Sequence, residues 1–177
     1  MKWLKWLAVA VLALIALFLI VLGIGASVSE RHVASTRVEL DVPAMTVWNL
    51  LTDFEQHPMW RDVVHSMERL PDQDDKPVWR ENNEFGPITY VVDEFSPPTR
   101  LVTRIADPEL PFGGSWTYEI VPTGEGCTLQ ITEAGEIYNP FFRFMARFVF
   151  GYHATQEHFL ESVADALDRE VELERLR

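Results

Sequence analysis

Cysteine is almost absent: Cys127 is the only one in 177 residues. No intramolecular disulfide and no cysteine-based metal cluster is possible, and a lone thiol on an apolar strand reads as a small buried hydrophobe. Cations are scarce as well. Fifteen Lys and Arg stand against 27 Asp and Glu, a formal charge of −12. Lys2 and Lys5 lie at the very start, so the rest of the chain is more acidic still. Such a surface repels phosphate backbones, which argues against nucleic acid as a partner and against broad adsorption to anionic lipid. No N-glycosylation acceptor is present, because Asn139 precedes Pro140 and neither Asn49 nor Asn83 has a hydroxyl two residues on. No G-x-S-x-G, P-loop or G-x-G-x-x-G occurs, so the commonest hydrolase and nucleotide motifs are missing.

Charge is missing altogether from Trp6 to Val28, WLAVAVLALIALFLIVLGIGASV. About 20 helical residues at ~1.5 Å each cross a hydrocarbon core of ~30 Å. The run is apolar on every face, unlike a core helix, and Trp3 and Trp6 stand where an aromatic belt belongs. A cleaved signal peptide is the rival reading. Its apolar core would be shorter, and GIGASVSE offers only a poor cleavage site, so length favours an uncleaved anchor. Lys2 and Lys5 before the segment, against Arg31 and Arg37 after it, lean towards a cytoplasmic N-terminus and an extracytoplasmic domain. The expected division is an anchor over residues 1–28, a linker over 29–35 and one domain over 36–177.

In the domain, TRVELDV (36–42) alternates as a strand and AMTVWNLL (44–51) has helical spacing. Asp53 with Gln56 forms a capping-box pattern for a second short helix before Pro58. Strand candidates follow at 63–70, 78–82, 88–95, 100–106, 115–121 and 127–137, separated by turn signals such as SPPT and PTGEG. Short connections imply antiparallel pairing. Trp116, Tyr118 and Ile120 alternate with polar residues, as do Cys127, Leu129 and Ile131, giving one apolar face and one wet face. Asn139 and Pro140 open a final helix expected to run for about 30 residues. Its stripe is Met145, Phe148, Tyr152, Gln156, Phe159, Val163 and Leu167. An α+β domain with a curved antiparallel sheet around a long C-terminal helix is the natural assembly.

The segment VPAMTVWNLLTDFEQHPMWRDVVHSMERL, with GGSWTYEIVPTGEGCTLQITEAGEI further on, resembles the START/Bet v 1-like (SRPBCC) superfamily, which includes the polyketide cyclase/dehydrase and lipid transport families. The resemblance covers roughly residues 33 to 170 and rests on packing motifs. It implies the helix-grip fold and a cavity between helix and sheet that holds lipids, quinones or polyketides. Many relatives carry a small polar residue after the tryptophan, where this chain has Arg61, and most lack the membrane segment.

Trp60, Trp79, Trp116, Tyr118, Phe148 and Tyr152 are the candidate cavity lining, with core filling the plainer alternative for any one of them. HATQEH (153–158) resembles a zinc motif only superficially, since histidines five apart diverge by ~140° around a helix. Glu119, Glu133 and Glu136 are read as solvated strand positions, and Arg104 as outward-pointing. The expected function is a membrane-tethered binding or carrier domain for an apolar small molecule, with no cofactor and no metal. A cyclase/dehydrase-type enzyme and a ligand-free interaction module are the alternatives.

Overall fold

The computed structural model describes residues 2–176. Helix α1 (Lys2–Ser27) is unbroken, and only Gly25 in it is buried. It is long and apolar enough to cross a membrane. Strand β1 (Arg31–Leu40) follows, then α2 (Ala44–Thr52), a 3-10 turn (Phe54–Gln56) and α3 (His57–Trp60). Six strands come next: β2 (Val64–Gln73), β3 (Lys76–Asn83), β4 (Gly86–Ser96), β5 (Arg100–Ile105), β6 (Phe112–Pro122) and β7 (Cys127–Ile137). The chain ends with α4 (Pro140–Met145), a π-helical turn (Ala146–Phe150), α5 (Ala154–Ala166) and β8 (Leu173–Leu176).

The strands form one antiparallel sheet in the order β2-β3-β4-β5-β6-β7-β1-β8. Pairing of Val38 with Leu129, and of Leu129 with Ile120, sends one apolar row to the inner face. Helix α5 closes that row with Leu160 and Val163, and α2 adds Val47 and Leu51. The outer face carries ion pairs, among them Arg100 with Glu119 and Arg104 with Asp93. This is the expected α+β helix-grip architecture.

Three local expectations are corrected. Strand β1 starts at Arg31, inside the segment read as linker, because Ala34 is buried and Ser35 bonds Thr132 across to β7. Asp53 makes no side-chain cap, although a helical turn does start beside it. The C-terminal helix is not continuous. Asn139 caps α4 as expected, accepting from the Phe141 N–H at 2.9 Å. The helix then loosens into the π-turn and stops at Gly151, whose φ of +82° is left-handed. Beyond α5, residues 173–176 join β1 as an edge strand in place of further helix.

Candidate functional site

Alternation along β6 and β7 aims Trp116, Tyr118 and Ile120 to the same side as Ile131 and Leu129. That inner face has two halves. Beneath α5 it is aliphatic and sealed, with Val38, Leu129, Ile131, Leu160 and Val163 each 1% exposed or less. Towards β3 and β4 it is aromatic and partly open, with Trp60, Trp79, Tyr90 and Trp116 only half-buried.

Phe159 of α5 is the hub between the halves. Its ring centroid lies 5.6 Å from Trp60, 5.8 Å from Trp116 and 5.6 Å from Tyr118. The first two contacts are edge-on, the arrangement that ring quadrupoles favour. Phe54 extends the group to Trp79 at 5.1 Å and Tyr90 at 6.1 Å. Four of the six expected lining residues, Trp60, Trp79, Trp116 and Tyr118, therefore meet on one surface. The Trp60 indole N–H is buried without a partner. An unpaired donor of this kind costs about 1–3 kcal/mol, and a ligand acceptor would relieve that cost.

The other two residues are placed elsewhere. Tyr152 stacks on His32 at 4.2 Å, at the β1 end of the inner face. Phe148 lies on the π-turn, 58% exposed, against Phe144 and Arg147. The break at Gly151 separates it from the stripe that the spacing suggested.

Charged groups flank the aromatic surface. Arg61 Nη1 and Nη2 donate to Glu81 at 2.6 and 3.2 Å, a bidentate pair, and the guanidinium sits 5.1 Å over the Phe159 ring. Asn83 also donates to Glu81, at 3.0 Å. His57 is 3% exposed; its Nε2–H donates to the Leu51 carbonyl at 3.1 Å, while Nδ1 faces Arg61 at 3.3 Å. Burial, then the Arg61 charge, holds His57 down at about 4, so it is neutral at pH 7. Burial raises both the Tyr118 and the Tyr90 phenols, which keeps them as neutral hydrogen-bonding groups. Near Trp116, Glu133 Oε1 stands 3.4 Å from His32 Nε2, and Thr155 donates to its other oxygen at 3.3 Å. Two open depressions, of about 550 and 310 Å³, lie on the outer face instead, around Arg104 with Ala134 and around Arg37 with Glu119.

A family model described as polyketide cyclase / dehydrase and lipid transport matches residues 31–172. The chain belongs to that family. No curated protein sequence matches it. Among solved structures, a START superfamily protein from Mycobacterium smegmatis is similar at 21% identity, covering 77% of this chain and 97% of its own, with a TM-score of 0.64. A conserved protein from Geobacillus kaustophilus aligns at 15% identity over 80% and 99% of the two chains, with a TM-score of 0.65. Norcoclaurine synthase from Thalictrum flavum aligns at 11% identity over 77% and 93%, with a TM-score of 0.59. At these identities the likeness is one of fold.

Several site residues escaped the sequence reading. Glu133, expected on the wet face, continues the inward alternation of Cys127, Leu129 and Ile131, and it pairs in register with Trp116. His32 was hidden by the linker assignment. Glu81 carried no signal of its own, because its partner Arg61 lies on the far side of a hairpin strand.

Proposed function

We propose that this domain binds an apolar small molecule, such as a lipid, a quinone or a polyketide-like compound, while α1 anchors it in a membrane. The observation that carries the reading is the half-open aromatic surface of Trp60, Trp79, Tyr90 and Trp116 around Phe159, with one unpaired indole N–H. A close-packed interior has no reason to leave such a surface accessible. Covering ~300 Å² of apolar ligand at ~25 cal/mol per Å² supplies about 7 kcal/mol before association costs, enough for micromolar-range binding. Trp60, Trp79, Trp116 and Tyr118 form the wall, and Tyr152 lies at its far rim. The orientation that the flanking cations favour puts the domain on the extracytoplasmic side.

Organic extraction of the purified full-length protein, followed by mass spectrometry, tests the reading. The expected result is a co-purified apolar compound that rebinds and quenches tryptophan fluorescence. Trp116→Ala weakens that rebinding tenfold or more, about 1.4 kcal/mol. Finding no bindable apolar compound, or an unchanged affinity in the variant, overturns it.

One observation favours a second reading, a cyclase/dehydrase-type enzyme. Glu133, held by His32 and Thr155, adjoins Trp116 on the inner face and is placed as a general base for a bound substrate. Glu133→Gln would then abolish turnover and leave binding intact.

A further inference from the structure

Residues 140–150 contain five phenylalanines, Met145 and Val149, and their only polar side chains are Arg143 and Arg147. This composition is apolar all round, unlike the one-sided α5. The segment lies along the C-terminal end of α1. Gly25 abuts the Pro140 carbonyl so closely that any side chain at that position would collide with it. The Phe141 ring lies 6.2 Å from Phe18. Arg143, 8% exposed, ties the corner together, donating to the Val28 carbonyl at 3.1 Å and the Tyr138 carbonyl at 3.2 Å. It also lies 3.5 Å from Glu30. Phe142, Phe148, Val149 and Phe150 are 47–66% exposed.

The register on α1 fixes the level of this patch. Phe18 precedes the helix end by nine residues, ~13 Å along the axis. Wherever the ~20 spanning residues fall within Lys2–Ser27, Phe18 lies inside the hydrocarbon, and Phe141 beside it. Phe142, next to Phe141 in the chain, is exposed, as are Phe148 and Phe150. Arg147, exposed next to Phe148, is long enough to reach headgroup phosphates.

We propose that residues 140–150 are a second membrane element, an interfacial helical segment whose phenylalanines enter the same leaflet in which α1 ends. This rests on the reading of α1 as a spanning helix. The segment seats the domain on the bilayer by apolar burial, which suits a chain too acidic for electrostatic adsorption. Its C-terminal end leads to the β1 end of the inner face. Tyr152 stacks on His32 and His153 bonds Thr36 just beyond Gly151, which ties the segment to β1.

Nitroxide labels on Leu12→Cys, Val149→Cys and Val121→Cys of the full chain, in phosphatidylcholine nanodiscs, test this by electron paramagnetic resonance with oxygen and a nickel chelate as relaxants. The parent chain, whose Cys127 is 1% exposed, sets the background. The expected result is that Val149→Cys matches Leu12→Cys, reached by oxygen and shielded from nickel. Val121→Cys, 59% exposed on the outer sheet face, shows the reverse. A Val149→Cys label that behaves like Val121→Cys while Leu12→Cys stays in lipid overturns the proposal and leaves the anchor standing. A label reached by neither relaxant places the segment in a protein interface and also overturns it. Water access at Leu12→Cys overturns the anchor and the proposal together.

Discussion

The two halves of the inner face are built from the same sheet and obey the same alternation, yet they do different things. The α5-covered half is aliphatic, near zero in exposure, and holds no polar side chain without a partner apart from the Trp60 indole at its border. The aromatic half is partly open and flanked by a bidentate ion pair on one side and a histidine–glutamate pair on the other. Shape-defined aliphatic packing suits stability. Large rings that tolerate exposure, with a few polar groups at the edge, suit recognition. One strand such as β6 contributes to both, with Ile120 in the sealed half and Trp116 in the open one.

The sharpest way to break this division is to cut into each half separately. Leu160, 0% exposed, is enclosed on all sides. Leu160→Ala is expected to cost about 3 kcal/mol, the usual transfer-plus-cavity loss. Trp116→Ala, though it removes more atoms, is expected to cost less, because half-buried side chains leave no sealed void. Urea denaturation of the full chain in detergent measures both. Equal losses would mean that the aromatic half is ordinary core.

Next in size is the Arg61–Glu81 pair. With side chains only 14% and 9% exposed, neither charge is well hydrated. Arg61→Met leaves the Glu81 carboxylate with Asn83 alone and is expected to cost about 3 kcal/mol. The double variant with Glu81→Met is expected to recover most of that loss, since paired burial itself contributes little net stability. If the single variant is harmless, the pair belongs to the solvated rim.

His57 adds a pH dependence to the same corner. Its folded value of about 4 lies below the 6.5 of an exposed imidazole, so the unfolded chain binds more protons between those limits. Stability is therefore whole above pH 6.5 and falls as pH drops towards 4, by at most about 3 kcal/mol. His57→Gln is expected to flatten denaturation midpoints across pH 6.5–4.5. Carboxylates such as Glu157, held low by its bond to Arg175, act only below that window.

The fold was legible in the sequence because strand alternation and short turns depend on near neighbours. Trp116, Tyr118 and Ile120 declared the inner face of β6, and Asn139–Pro140 declared a helix start. What stayed hidden depends on distant partners. A stripe of Met145, Phe148, Tyr152 and Gln156 reports an apolar side but not which surface it meets: Gln156 bonds the Ala34 carbonyl of β1, Tyr152 stacks on His32, and Phe148 stays exposed. Gly151, the only glycine in that stretch, was the available sign of the break. The Arg61–Glu81 pair joins residues 20 apart, and nothing in local spacing announces such a meeting.

The smallest expected effect concerns Arg104, and it completes the contrast between faces. Arg104 and Arg61 both bond a carboxylate through two nitrogens, Arg104 to Asp93 at 2.7 and 3.3 Å. The difference is location. Arg104 stands on the outer face with a side chain 47% exposed, where water screens the pair, and Asp93 keeps Lys76 as a second cation. Arg104→Ala is thus expected to change stability by less than about 0.5 kcal/mol and ligand affinity not at all. If ligand affinity does fall, the outer depression around Arg104 contributes to binding, and recognition is not confined to the aromatic half of the inner face.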